Sequence, residues 1–164
     1  MAEHRLLLLR HAQAVDVVPG LPDHERPLTD YGIEQATAVG AALRAHGTKI
    51  DKVLCSSATR TRQTLAALGL DTHVDDTDEL YNASSQAILA LIRLLEDEVS
   101  TAMVIGHAPG LPSLAVQLAG QGSDTRALEV INNRYPTATI TEYEMDAPWA
   151  EAEVGRLLWL RVGS

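Results

Sequence analysis

The chain has 164 residues, 46% of them hydrophobic, which is typical of a single folded domain spanning 1–164 and not of a disordered segment. Thirteen basic residues against 22 acidic ones give a net charge of −9, which argues against a nucleic-acid-binding or acidic-membrane-binding surface. The single cysteine, Cys55, excludes an internal disulfide, and together with the lack of a signal-peptide pattern it predicts a cytoplasmic protein.

Four leucines, Leu6 to Leu9, lead directly into Arg10 and His11. An apolar run of this length is too short to cross a membrane and is typical of a strand buried on both faces of a parallel sheet. Open α/β sheets bind ligands at the carboxyl ends of such strands. There, the Arg10 guanidinium could hold the oxygens of a phosphate, and the His11 imidazole could attack its phosphorus. An isolated Arg-His pair is more often the polar start of a loop, so the rest of the chain must support this interpretation.

Helices are predicted where apolar residues recur at helical spacing, and strands where short apolar or alternating runs occur. In chain order, the predicted elements are a loop over 12–28, a helix over 30–46, a strand over 52–55, a helix over 58–68, a short strand near 73–74, a helix over 84–97, a strand over 101–105, a helix over 111–119, a loop or weak helix over 120–135, and strands over 137–145 and 157–162. This alternation predicts an α/β three-layer sandwich, with a mostly parallel central sheet flanked by helices and a final pair of strands able to run antiparallel.

Three of the predicted strands end in residues suited to binding an anion. Arg10 and His11 follow the first strand, Arg60 lies shortly after the second, and His107 follows the third. Because the carboxyl ends of parallel strands meet at one edge of a sheet, these four side chains can converge. The helix N-termini near 58 and 111 would add backbone N–H donors there.

Four blocks of this sequence resemble, in the same order, the signature blocks of the histidine phosphatase superfamily, which has a phosphoglycerate-mutase-like fold. They are Leu9-Arg10-His11-Ala12; Arg26-Pro27-Leu28-Thr29 with Gly32, Gln35 and Ala36; Ser56-Ser57 with Arg60, Gln63 and Thr64; and Gly106-His107 with Pro109 and Gly110. The short chain and the Arg-Pro-Leu-Thr block are most similar to the SixA-like phosphohistidine phosphatase branch. Ala12 and Ala58 stand where many members have Gly and Pro, and neither departure removes a reactive group.

The resemblance implies a catalytic set of four residues. It implies that His11 is the nucleophile and carries a phosphohistidine intermediate, which water then hydrolyses without a cofactor or a metal. It implies that Arg10, Arg60 and His107 bind the phosphoryl oxygens and stabilise the charge that develops during transfer.

Two further residues have weaker support. Arg26 lies in the 12–28 loop, where its guanidinium could reach the phosphate or only the solvent. Glu79 stands roughly where many family members keep a general acid, which could protonate a leaving alkoxide if burial raised its pKa. Because Glu79 belongs to an acidic stretch, a solvated surface residue is the stronger interpretation.

Three functions are compatible with these residues. The first is a phosphatase acting on phosphohistidine in a partner protein, favoured because no stretch is long enough to form a large lid over the site. The second is a phosphatase of a small phosphomonoester, such as a sugar phosphate or a nucleotide, which would need a working acid at Glu79. The third is a phospho-ligand binding module without catalysis, against which the complete set of histidines and arginines counts.

Overall fold

The computed structural model describes residues 3–164, which form one six-stranded sheet with helices on both faces. The strands are β1 (His4–Arg10), β2 (Lys52–Ser56), β3 (His73–Thr77), β4 (Thr101–Gly106), β5 (Ile140–Met145) and β6 (Gly155–Arg161). The helices are α1 (Asp30–His46), α2 (Thr59–Leu68), α3 (Ser85–Ile92), α4 (Gly110–Leu118) and α5 (Thr125–Asn133). No helix within the described residues is both long and apolar enough to span a membrane.

Strand β1 lies inside the sheet, between β4 and β5, and its four leucines are fully buried. Because successive side chains of a strand point to opposite faces, the run contributes to two separate cores. Leu6 and Leu8 pack on the face covered by α3, α4 and α5, whereas Leu7 and Leu9 pack on the face covered by α1 and α2. The prediction of a strand buried on both faces is confirmed.

The strand order β3-β2-β4-β1-β5-β6 divides the sheet into two parts. The four strands β1, β2, β3 and β4 run parallel to one another, whereas β5 runs antiparallel to both β1 and β6. The carboxyl ends of β1, β2 and β4 therefore meet at one edge, where Arg10 pairs with Gly106. The predicted three-layer α/β sandwich with a mostly parallel sheet is confirmed, including the antiparallel final pair.

Helix α1 has the bounds that its sequence predicts. The Thr29 hydroxyl caps its start by accepting the Gly32 N–H at 3.0 Å, and Gly47 ends it in the left-handed conformation with φ 81°. Gly40 allows α1 to approach α2, since a β-carbon at this position would lie 2.3 Å from the Leu68 carbonyl oxygen. The approach brings the start of α2 beside the end of β1.

Two segments differ from their predictions. The stretch 120–135, predicted as a loop or weak helix, contains α5, whose start is capped by Asp124 accepting the Ala127 N–H at 2.8 Å. Its glycines lie before the helix, and Ala127 and Ile131 are buried against the sheet. Helix α3 ends at Ile92 and not near 97.

Candidate active site

His11 lies directly after β1, and its side chain is only 8% exposed. Its Nδ1–H donates to the Ala12 carbonyl at 2.6 Å, which fixes the tautomer and leaves the Nε2 lone pair available. Burial lowers the pKa of His11 to about 4; the Ala12 hydrogen bond opposes this in part, and the charges of Arg60, Arg10 and Arg26 lower the pKa further. At neutral pH, His11 is therefore an uncharged imidazole that can act as a nucleophile.

His107, directly after β4, is the second buried histidine, and its ring centroid lies 5.3 Å from that of His11. Its Nε2 lies 2.7 Å from the Ser56 hydroxyl oxygen, which also accepts the Ala58 N–H at 3.4 Å. If the Ser56 hydroxyl donates to Nε2, the proton of the neutral ring is on Nδ1, where it can be donated to a ligand. Burial, with a contribution from the Arg60 charge, lowers the pKa of His107 to about 3.

Three buried side-chain nitrogens lack a hydrogen-bond partner within residues 3–164: Arg10 Nε, Arg60 Nε and His107 Nδ1. Buried polar groups are nearly always paired, and leaving one unpaired costs about 1–3 kcal/mol. All three belong to the residues that the sequence predicts to bind a phosphoryl group. His11, Arg10, Arg60 and His107 are called here the phosphoryl pocket, which therefore presents unpartnered nitrogens beside an uncharged imidazole.

The protein holds one terminal nitrogen of Arg10 and both terminal nitrogens of Arg60. Arg10 donates from one terminal nitrogen to the Tyr135 carbonyl at 2.9 Å. Arg60, in the first turn of α2, donates to the Asp23 backbone carbonyl at 2.8 Å and to the Asp23 carboxylate at 3.2 Å. These contacts fix both guanidinium planes before any ligand binds, which favours tight and oriented anion binding.

Arg26 lies beside this pocket, with all three guanidinium nitrogens already engaged. Its Nε and one terminal nitrogen lie 2.9 Å from an Asp23 carboxylate oxygen, and its other terminal nitrogen donates to the Val15 carbonyl at 2.6 Å. The structure therefore places its charge near His11, with one N–H of each terminal nitrogen bound by the protein and the second left over, and contact with the phosphate stays a prediction.

Glu79 lies apart from these residues. It is exposed and lines a groove beside Leu54, Leu91 and Leu94, on the α3 side of the sheet. The burial that a raised pKa would require is not found at Glu79, and its exposure fits the solvated surface residue that the sequence favours. The carboxylate that does contact the pocket is Asp23, whose pKa is lowered to about 2 by the Tyr81 hydroxyl first, and then by Arg26 and Arg60.

Sequence reasoning missed Asp23 and Tyr81. Asp23 stands three residues before Arg26 in a short helical turn, a spacing that allows an ion pair, so the signal was present but weak. Tyr81 follows another short turn, Asp78–Leu80, and nothing in the sequence connects it with the 12–28 loop. Within residues 3–164, no three His, Cys, Asp or Glu side chains gather as a metal ion would require.

Comparison with known proteins identifies the family. Residues 6–86 match the model of the histidine phosphatase superfamily, branch 1. An uncharacterized protein of Mycobacterium tuberculosis is 38% identical over 148 residues, which cover 90% of this chain and 93% of the relative. A solved structure from Nakamurella multipartitia, provisionally assigned as the phosphohistidine phosphatase SixA, is 34% identical, with a TM-score of 0.89 and coverage of 99% of this chain and 98% of that one. This chain belongs to the histidine phosphatase superfamily.

Within that superfamily, the chain falls in the SixA-like branch. A second structure with the same provisional assignment, from Agrobacterium tumefaciens, is 27% identical, with a TM-score of 0.83 and coverage of 97% of both chains. The resemblance drawn from the four sequence blocks is thus confirmed, and so are the predicted phosphoglycerate-mutase-like fold and the assignment as a phosphatase.

Proposed function

We propose that this phosphatase removes the phosphoryl group from phosphohistidine in a partner protein, through an intermediate on His11. The observation that supports this substrate class is the state of the two carboxyl groups that could serve as an acid. With its pKa near 2, the Asp23 carboxyl is ionised at neutral pH, and Glu79 is exposed beside a different groove. An alkyl ester needs protonation of its leaving alkoxide, whereas imidazole is a good leaving group that needs less help.

The proposed reaction has two displacements at phosphorus. The His11 Nε2 lone pair attacks phosphorus, the bond to the substrate imidazole breaks, and the departing ring takes a proton from water. Water then attacks the phosphoryl group on His11, which releases inorganic phosphate and restores the neutral imidazole. Arg10 Nε–H, Arg60 Nε–H and His107 Nδ1–H donate to the phosphoryl oxygens in both steps, so the unpaired donors of the free protein gain partners.

The covering of the pocket is compatible with a protein substrate. From the end of α2 to Tyr81, the chain consists of short connections, the five-residue strand β3 and a short turn, so the described residues contain no lid domain there. Near the pocket, the 12–28 loop contributes the short turn Asp23–Glu25 and the adjoining Arg26. A phosphohistidine side chain on a protein surface could therefore enter. We also propose that the protein is cytoplasmic, as its composition predicts.

The test compares phosphate release from a phosphohistidine-bearing protein, from glycerol phosphate and from a nucleoside monophosphate. Wild type is measured beside His11→Ala, with His73→Ala as a control because His73 is an exposed histidine of edge strand β3. We expect release chiefly from the phosphohistidine protein, lost in His11→Ala and kept in His73→Ala.

Two results would contradict the proposal. Faster release from one of the small esters would favour the small-molecule phosphatase. No release from any substrate by a folded protein would favour a binding module and would contradict the catalytic role of His11.

A further inference from the structure

The 12–28 loop places one carboxylate, that of Asp23, against the phosphoryl pocket. One carboxylate oxygen contacts Arg26 at 2.9 Å. The other contacts an Arg60 terminal nitrogen at 3.2 Å and accepts the Tyr81 hydroxyl at 2.5 Å. A single side chain from the loop thus connects α2 with the segment that follows β3.

The contact with Arg60 is the most consequential of these. The Arg60 side chain is only 5% exposed, so its charge needs partners within the protein. Asp23 engages both terminal nitrogens, one through its backbone carbonyl and one through its carboxylate. Asp23 thus takes one N–H of each terminal nitrogen and Nε has no protein partner, so Asp23 restricts how the planar guanidinium can face a ligand.

Arg26 holds the carboxylate oxygen of Asp23 that Arg60 does not contact, and Tyr81 shares the other oxygen with Arg60. Arg26 uses its remaining terminal nitrogen on the Val15 carbonyl, within the same loop. The Tyr81 ring meets His107 edge-on, at 5.7 Å between centroids, and the guanidinium carbon of Arg60 lies 5.9 Å from the Tyr81 ring centroid. Asp23, Arg26 and Tyr81, called here the Asp23 clamp, therefore fix Arg60 beside His107.

We propose that Asp23 is a positioning residue, which acts through Arg60 by fixing the guanidinium with its Nε–H directed at the phosphoryl group. This role goes beyond the proposed function, because it concerns how the pocket is assembled for any phosphoryl ligand. It does not depend on which substrate carries the phosphoryl group.

The proposal opposes the simplest electrostatic expectation. A carboxylate that contacts two arginines, Arg26 and Arg60, reduces the positive charge of the pocket, so its removal should strengthen the binding of an anion if charge alone mattered. If Asp23 positions Arg60, its removal should weaken anion binding in spite of the gain in positive charge. The direction of the change therefore distinguishes the two roles.

The experiment measures inhibition by orthovanadate and kcat/KM for p-nitrophenyl phosphate in Asp23→Asn. The matched control is Asp16→Asn, which makes the same charge change in the same loop at an exposed carboxylate. We expect the inhibition constant to rise at least about tenfold and kcat/KM to fall by a similar factor in Asp23→Asn, with both unchanged in Asp16→Asn.

A double-mutant cycle tests whether Asp23 acts through Arg60. We expect Asp23→Asn to cost less than about twofold in an Arg60→Gln background, because the guanidinium that it positions is gone. Independent, multiplying effects of the two substitutions would overturn the proposal. Tighter vanadate binding by Asp23→Asn would also overturn it, since Asp23 would then only compete with the ligand.

A thermal melt of each variant separates loss of positioning from loss of folding. If Asp23→Asn does not fold, Tyr81→Phe removes one hydrogen bond from the same carboxylate and keeps the ring. We expect that variant to weaken vanadate binding two- to threefold, and unchanged binding would overturn the proposal. Because vanadate binding is measured without a phosphohistidine substrate, failure of the proposed substrate class would be visible separately.

Discussion

Two buried polar regions of this protein differ in how completely their hydrogen bonds are satisfied. Glu142 of β5 is 3% exposed and is surrounded by partners: Arg5 at 3.1 Å, the Thr48 hydroxyl at 2.9 Å and His46 at 3.5 Å. These four residues are called here the Glu142 cluster. The phosphoryl pocket, at the other end of β1, keeps three buried nitrogens without any partner in the described structure.

The difference separates polar burial that serves the fold from polar burial that serves a ligand. A buried charge with matched partners becomes costly only when a partner is removed, whereas unpaired donors cost stability until a ligand takes them. Two of the three unpaired nitrogens, those of Arg10 and Arg60, fall within the residues 6–86 that match the superfamily model. Substitutions in the phosphoryl pocket should therefore lower activity, whereas substitutions in the Glu142 cluster should lower stability.

The largest expected effect is that of His11→Ala. Removal of the nucleophile should lower kcat by about a thousandfold or more and abolish formation of the phosphoenzyme. The measurement is rapid-quench trapping of acid-labile phosphate on the protein with a labelled substrate. A phosphoenzyme that forms normally in His11→Ala would move the nucleophile to another residue.

Arg60→Gln should have the next largest effect, a loss of about a hundredfold in kcat/KM, because one fixed donor to the phosphoryl oxygens and a positive charge are both removed. Arg62→Gln on the same helix is the matched control, since the Arg62 side chain is 61% exposed. Steady-state kinetics of the pair would show whether the effect belongs to the pocket or to the helix. Equal losses of kcat/KM in the two variants would contradict the assignment of the effect to the pocket.

Acid should destabilise the protein through the two histidines of the pocket. His11 and His107 have folded pKa values of about 4 and 3, below the unfolded value of about 6.5, so the unfolded chain binds more protons as the pH falls. Their contribution is complete above pH 6.5 and is lost progressively toward pH 4, by roughly 2 kcal/mol for each histidine between pH 7 and pH 5. Urea unfolding of wild type and His11→Ala at both pH values checks this, and the variant should lose less stability.

Glu142→Gln should lower the free energy of unfolding by about 1–2 kcal/mol, since it removes the charge that pairs with Arg5 and weakens the bonds to Thr48 and His46. The kcat/KM should stay within about twofold of wild type, because none of these residues contacts the phosphoryl pocket. Denaturant unfolding and steady-state kinetics on the same preparation provide the check. A large loss of activity without loss of stability would remove the distinction between the two regions.

The smallest expected effect is that of Glu79→Gln. Its carboxylate is exposed beside Leu91 and Leu94, so phosphate release from a phosphohistidine protein should change by less than about twofold. Release from alkyl phosphates, if it occurs at all, should also be unchanged. A selective loss on alkyl phosphates would return Glu79 to the role of general acid.

The parts predicted from sequence are those governed by local pattern. The four leucines, the Thr29 cap and the strand-end position of His11 each depend on a few neighbouring residues, and the structure agrees with all three. Helix α5 is harder to predict from sequence, because Gly120 and Gly122 weaken the helical pattern of the stretch 120–135 although they lie before the helix itself.

The Asp23 clamp shows what sequence could not provide. Its members come from the 12–28 loop and from residue 81, and their contact depends on how two irregular segments fold over α2. Loop conformation is set by many weak long-range contacts and not by a periodic pattern. The same reason explains Glu79, which the sequence resemblance puts roughly at the place of a general acid while its side chain lines a different groove.

The position of β1 has a consequence for how activity appears during folding. Arg10 pairs with Gly106, close to a hundred residues later in the chain, and β1 reaches β2 only through β4. Contacts of such long sequence separation require closure of large loops and form slowly. The two histidines therefore cannot meet in any early, locally folded species, and a phosphatase assay during refolding would report the completion of the sheet.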